Sequence, residues 1–403
     1  MLRYLAHLLI ATLLLAGGMA GFNGWLDPYA IYRDHEGEAG DRPLVVMSER
    51  VFKTVHLARS PADVVFIGTS RTDIGIGREQ GLPAGLRVHN LATFGQPIRE
   101  TLRLMELAII EGKARTVVIG LDFFAFNANF VLPSDYVEEN YDPMRPYALL
   151  LSVSALNDAW MKHRLKTTPA GSCCYADGFR TPLNLNILRG IYRPQFIANE
   201  RMYLMEKYLP YPACSFTLIG RNGVVPMDDF RQMLRLAHDH QVELRLFISP
   251  SHARQWETLA AASLWEPWEN WKRQLVSINQ KEAARAGRPP AALWDFSGYD
   301  AFSTEDVPKQ GDVSRAMRWY SDSSHYTTEL GQRVVKRMFD TPEAAGDWGM
   351  RLEPANVEPH LAGIRAARQQ YRATHPEDIA EIERTAREVE HVKHCPSLSG
   401  ENL

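Results

Sequence analysis

The sequence predicts an α/β fold, a parallel β-sheet covered by helices on both faces, behind one apolar N-terminal helix. Three observations carry this expectation. Five short apolar segments, each bounded by turn or polar residues, read as buried strands. Segments with helical spacing of apolar residues lie between several of them, and that alternation argues for a parallel sheet buried on both sides. The stretch Leu8 to Leu26 carries no charged residue.

That N-terminal stretch is close to the length needed to cross a bilayer. Arg3 and His7 precede it, and Asp27, Asp34 and Glu36 follow. The positive-inside tendency then places the N-terminus in the cytoplasm and the rest of the chain outside. The competing reading is a cleaved signal peptide, for which Gly18-Met19-Ala20 offers a weak small-residue site. The retained anchor over residues 1–27 is preferred.

The expected strands are Val64–Ile67, Val88–Leu91, Thr116–Leu121, Leu244–Ile248 and Ala292–Phe296. Helices are expected over Ile98–Glu111, Met227–Gln241, Glu266–Ala286 and Thr327–Phe339. Sites in such sheets form beyond the carboxyl ends of the strands. Polar residues gather there: Gly68-Thr69-Ser70 after the first strand, Asn90 to Gly95 at the second, Asp122 after the third, and Ser249 to His252 after the fourth. The pattern breaks between about 127 and 226, a Pro-, Tyr- and Asn-rich stretch that reads as a mostly helical or irregular insertion in a domain spanning 28–345. Residues 346–403 read as a charged helical tail.

With 403 residues, 45 basic against 48 acidic, and a net charge of -3, nothing in the composition favours binding to nucleic acid. Four cysteines, Cys173, Cys174, Cys214 and Cys395, include no C-x-x-C pair, which excludes zinc-ribbon and thioredoxin readings. In an exported protein a disulfide from Cys214 to Cys173 or Cys174 is an open alternative. No motif calls for a metal or a cofactor. The run His238 to His240 at a helix end points to different faces and reads as solvated surface. Trp265, Trp268 and Trp271, three residues apart, read as packing rather than a sugar platform.

Two elements carry chemistry. Ser70 follows an apolar strand directly, where a hydroxyl can stand on a tight turn beside free backbone N–H groups. Read alone it is an N-cap. Asp322 and His325 lie three apart in "WYSDSSHYTTELGQRVV". A hydroxyl nucleophile needs an imidazole to take its proton, and the imidazole needs a carboxylate to orient it. One short loop can supply both.

Together these blocks resemble the SGNH (GDSL-like) hydrolase superfamily over Val64 to Phe339. The matching residues are Ser70 in "GTSR", Gly95 in "NLATFG", and Asp322 with His325 in "DSSH". The resemblance implies a flavodoxin-like three-layer fold, Ser70 as nucleophile, His325 as general base and Asp322 as its partner. It also implies the N–H groups of Ser70 and Gly95 as oxyanion donors. Two departures matter. Thr69 stands where the family has an acid. Asp122 stands near the place of the family's third-block asparagine, and an ionised carboxylate cannot donate. A third donor is then absent or comes from Asn127 or Asn90. Arg71 reads equally as a contact for a carboxylate or an acyl group or as a surface ion pair, and His252 reads as a cleft residue or as a buried or capping one.

The anchor, "DPYAIY", "GTSR", "LDFFAF" and "SPSHA" further resemble membrane-anchored cell-envelope proteins, such as alginate O-acetylation proteins and the D-alanyl transfer protein of teichoic acid modification. This implies an extracytoplasmic esterase or acyltransferase acting on a cell-surface polysaccharide beside a membrane-bound O-acyltransferase. The competing function is a non-catalytic scaffold of the same fold that holds polysaccharide or the membrane partner.

Overall fold

A computed structural model of the chain describes residues 1–33, 44–78, 81–82, 85–142, 144–165, 172–220, 223–340 and 348–393. In chain order the first elements are α1 (Leu2–Leu26), β1 (Leu44–Val45), α2 (Glu49–Arg59), β2 (Val64–Ile67), α3 (Ser70–Gly75), β3 (Val88–Asn90), α4 (Ile98–Ile110) and β4 (Thr116–Leu121). The stretch expected as an insertion holds α5 (Arg145–Leu150), α6 (Val153–Leu165), β5 (Ser172–Cys174) and α7 (Tyr192–Met202), with a π-helical turn at Tyr203–Tyr208. There follow α8 (Pro226–Asp239), β6 (Glu243–Ile248), α9 (Ala253–Ala261), α10 (Trp265–Ala286), β7 (Ala292–Asp295), α11 (Thr328–Met338), β8 (Met350–Arg351), α12 (Val357–Thr374) and α13 (Pro376–Lys393).

Six strands form one sheet in the order β3-β2-β4-β6-β7-β8. The first five are parallel and β8 is antiparallel at the edge. All five expected strands are present, within a residue or two at their ends. Counted among themselves, they run 2-1-3-4-5, so the winding direction reverses between β2 and β4. Strand periodicity sends alternate side chains to opposite faces. Val65 and Ile67 join one apolar cluster with Leu102 of α4, Phe230 of α8 and Leu275 of α10. Val64 and Phe66 join the other with Phe196 of α7 and Val334 of α11. Both faces of β2 are therefore dry, which is why its four residues are apolar without alternation.

The helix α1 is long and apolar enough to cross a membrane, with a mean hydropathy of 1.9 over its most apolar window. Its last turn is built into the domain. Asn23 is fully buried, and its side-chain amide donates to the carbonyls of Leu150 (3.0 Å) and Ser152 (3.2 Å) at the α5–α6 corner.

The tail expected over 346–403 packs against the body through α13. Ile382 and Val389 are buried, and Asp378 and Glu381 reach the fully buried Arg254 of α9 at 3.0 and 2.9 Å. Cys174 and Cys214 are both disulfide-bonded. The side chains of Cys173 and Cys395 lie outside the described residues.

Candidate active site

The first residue to settle is Ser70. It is the first residue of α3, and the capping role falls to its neighbour: Thr69 Oγ1 accepts from Arg71 N–H at 3.2 Å. The Ser70 hydroxyl is thereby free of the backbone. Its Oγ lies 2.8 Å from His325 Nε2. On the other side of the ring, His325 Nδ1 lies 2.7 Å from Asp322 Oδ2. Sequence separation between Ser70 and His325 is 255 residues, and the fold closes it to one hydrogen bond.

Asp322 is held as firmly as the ring it orients. Its Oδ1 accepts from the backbone N–H groups of Ser324 (2.8 Å) and His325 (2.9 Å), and from Ser324 Oγ (3.2 Å). Burial pushes its carboxyl up, but the His325 charge, the His325 hydrogen bond and those two amides outweigh burial. The net result lies below the ordinary carboxylate range, so Asp322 stays ionised, as an orienting carboxylate must. The loop is braced from outside as well. Ser323 Oγ donates within reach of Asn199 of α7 (2.8 Å) and Gln255 of α9 (2.9 Å).

The approach of the two halves depends on two missing side chains. A Cβ on Gly331 of α11 would lie 1.9 Å from the Gly75 carbonyl oxygen, and a Cβ on Gly75 would lie 2.0 Å from the Tyr326 ring. Only glycine lets α3 and α11 touch here, and that contact sets Ser70 against His325.

The "GTS" departure now has a physical role. Thr69 Oγ1 donates to Asp122 Oδ2 at 2.5 Å, and Arg71 Nη1 donates to Asp122 Oδ1 at 3.0 Å. Both partners of this ion pair are buried, and the Arg71 guanidinium lies 5.6 Å from the Phe124 ring and 5.2 Å from the Tyr203 ring. The sequence leaves Arg71 as either a substrate contact or a surface ion pair. The structure instead spends it on Asp122, tying the end of β2 to the end of β4 at the point where winding reverses. Such switch points are where ligands bind in doubly wound sheets.

Other expected residues divide as follows. The second-strand loop is bound to the first strand's end through Thr93 N–H to Gly68 O (3.1 Å), and Gly95 within it has φ +59°. Asn90 Oδ1 accepts from Ala92 N–H at 2.9 Å, while its Nδ2 is a buried donor without a hydrogen-bond partner among the described residues. Asn127 is spent on structure: Nδ2 donates to the carbonyls of Lys207 and Tyr208, and Oδ1 accepts from Asn129 and Thr217 N–H. It is no oxyanion donor. The His252 ring is engaged away from Ser70, His325 and Asp322. Its Nδ1 caps α9 by accepting from Arg254 N–H (3.2 Å), and its Nε2 lies 2.6 Å from the Glu305 carbonyl. Trp268 and Trp271 are fully buried, and Trp268 stacks on Trp256 with ring centroids 5.2 Å apart.

One residue escaped sequence reasoning. Lys207, in the π-helical turn, sends Nζ to 3.6 Å from where a Cβ of Gly95 would sit. It lies over the Phe130 ring at 4.8 Å and pairs with Glu206 at 4.0 Å. Burial pushes its ammonium pKa down. Nothing in an irregular Tyr-rich stretch marks one lysine among several. The nearest signal is the register of Gly95, which only a fold reveals.

No protein-family model matches this chain. No curated protein matches it either.

Proposed function

We propose that the chain is an extracytoplasmic SGNH-like serine enzyme with a flavodoxin-like three-layer fold, held at the cytoplasmic membrane by α1. It would transfer or hydrolyse acyl groups, acetyl first among them, on a cell-surface polysaccharide beside a membrane-bound O-acyltransferase. The single observation that carries this reading is the hydrogen-bonded row Ser70 Oγ, His325 Nε2, His325 Nδ1 and Asp322 Oδ2 at 2.8 and 2.7 Å. The strand order 2-1-3-4-5 supports the fold assignment, because it is the flavodoxin order with the nucleophile at its switch point.

The chemistry follows from the geometry. Ser70 Oγ attacks the acyl carbonyl while His325 Nε2 takes its proton. The tetrahedral oxyanion is met by backbone N–H groups at the start of α3 and at Gly95. It collapses, the bond to the donor oxygen breaks, and His325 returns the proton to the departing alcohol. The acyl group is then an ester on Ser70. A sugar hydroxyl or water gives its proton to His325 and attacks this ester, releasing Ser70. Asp322 remains a carboxylate throughout and stabilises the imidazolium. With Asp122 occupied by Arg71 and Thr69, the Lys207 ammonium beside Gly95 would supply the side-chain donor that a neutral asparagine amide supplies in the resembled family.

The test is a purified chain offered p-nitrophenyl acetate, with the protein mass followed by rapid quench. A burst of p-nitrophenol and one added acetyl on the Ser70 peptide are expected, and both are absent in Ser70→Ala. Equal release by Ser70→Ala, with acetyl elsewhere, overturns the reading.

A further inference from the structure

The helix α5 carries an exposed apolar stripe whose position is fixed by the end of α1. Met144, Tyr147 and Leu151 recur at spacings of three and four, which places them on one face of the helix and its flanks. All are largely exposed, Tyr147 at 65% and Leu151 at 54%, and Val153 beyond the corner is 73% exposed. The opposite face is spent inward, with Leu149 buried against Tyr29, Ile31 and Val51.

The level of this stripe along α1 can be read from hydrogen bonds. Asn23 donates to the carbonyls of Leu149, Leu150 and Ser152, so the α5–α6 corner sits beside Asn23. A helix rises about 1.5 Å per residue and a hydrocarbon core is about 30 Å thick, so roughly twenty residues span it. Counted from Tyr4, the first residue past Arg3, that length ends at Asn23; counted from Leu8, where the charge-free run begins, it ends at Asp27. The corner therefore stands within about one helical turn of where α1 leaves the hydrocarbon. Trp25, at the same level, is 63% exposed, as expected of an interfacial aromatic.

We infer that Tyr147, Leu151 and Val153 enter the interfacial layer of the bilayer, so that the domain rests on the membrane rather than hanging from α1 as a tether. This rests on the reading of α1 as a membrane anchor. The committed occupant is lipid. An apolar stripe at that level meets acyl-chain ends and headgroups whenever α1 is inserted, and burying it there is favourable. The consequence for the proposed enzyme is a fixed height of its site above the membrane.

The experiment uses the full chain in phosphatidylcholine and phosphatidylglycerol vesicles. Nitroxides are placed on single added cysteines in Tyr147→Cys, Leu151→Cys, Val153→Cys and, within α1, Leu13→Cys. The parent chain gives the labelling background. Collision with oxygen, which partitions into lipid, is compared with collision with a water-soluble nickel chelate. Relative to free nitroxide in buffer, the oxygen-to-nickel ratio should rise at all three corner sites and rise further at Leu13→Cys. Corner ratios equal to buffer, with Leu13→Cys deep, overturn the inference and leave the anchor standing. Corner sites shielded from both agents indicate protein cover and also overturn it. A buffer-like ratio at Leu13→Cys removes the anchor itself, and the inference with it.

Discussion

Arg71→Met should destabilise the chain by about 3–5 kcal/mol, because it strands a buried carboxylate. The structure sets this magnitude. Asp122 is 2% exposed, and its two oxygens are taken by Arg71 at 3.0 Å and Thr69 at 2.5 Å. Removing the guanidinium leaves one hydroxyl to offset a full negative charge in a dry site. It also deletes contact with the Phe124 and Tyr203 rings, which adds about 0.5–2 kcal/mol. The Arg71→Met/Asp122→Asn pair removes both charges and leaves an amide that Thr69 can still reach. It should recover most of the loss, with a coupling of about 2 kcal/mol or more. The assay is chemical unfolding of the full chain in detergent, followed by near-UV circular dichroism, alongside ester hydrolysis on the refolded variants. The double variant should keep the substrate KM near the parent value. If Arg71→Met leaves the midpoint unchanged and raises KM tenfold or more, Arg71 is a substrate contact and the structural account is wrong.

Four further expectations follow from the same geometry. His252 is fully buried, and burial, the dominant effect, pushes its ring down to about 4 from the ordinary 6.5. Above 6.5 both states are neutral, and below it only the unfolded chain takes the proton. Stability should therefore fall by about 1.4 kcal/mol per pH unit from this residue, about 3 kcal/mol by pH 4, and His252→Asn should remove that slope in pH-dependent unfolding. Gly95→Ala places a side chain at φ +59° with Pro133 Cγ 3.4 Å away, so about 1–2 kcal/mol of stability should be lost together with ester turnover. Lys207→Met should lower kcat by about 10²–10³ if Lys207 meets the oxyanion, while the melting temperature holds or rises because a half-buried cation has gone. Lys207→Arg should restore part of the rate, and an unchanged kcat in Lys207→Met would remove Lys207 from the site. Asp322→Asn should keep the fold and lose about 10⁴ in kcat, since an amide no longer selects the ring tautomer.

Much of this was legible in the sequence for reasons that can be named. The parallel strands announce themselves because a strand buried on both faces has no polar position, as Val64–Ile67 illustrates. Asp322 and His325 were legible because three residues of loop suffice to bond a carboxylate to its ring. What stayed hidden depends on burial and on distant partners. The edge strand Met350–Arg351 is two exposed residues long and carries no pattern. Arg71 beside a serine reads equally well as a substrate contact or an ion pair, and only the arrival of Asp122 from 51 residues away decides. His252 after a strand end looks like a cleft residue until both ring nitrogens are found engaged. The docking of the charged tail carries no sequence signal, because its inward carboxylates, Asp378 and Glu381, pair with an arginine that no local pattern connects to them.

Those carboxylates bear on the Ser70–His325–Asp322 row. Arg254 of α9 is held by Glu200 of α7 at 2.7 Å and by Asp378 and Glu381 of α13 at 3.0 and 2.9 Å. One buried cation thus clamps three helices. Two of the three, α7 and α9, supply Asn199 and Gln255, which fix Ser323 inside the Asp322–His325 loop. The row of contacts runs from the tail, through Arg254, to the loop that carries Asp322 and His325. If the Ser70–His325 hydrogen bond acts as proposed, a contact made across 255 residues of sequence has to be held from several sides, since an error of about 1 Å is enough to cost a large factor in rate. The insertion and the tail therefore act on the geometry of His325 rather than standing apart from it. An Arg254→Met variant strands the fully buried Glu200, while Arg193 still pairs with Asp378 and Glu381, and it should lose activity under conditions where Ser70→Ala leaves the fold intact.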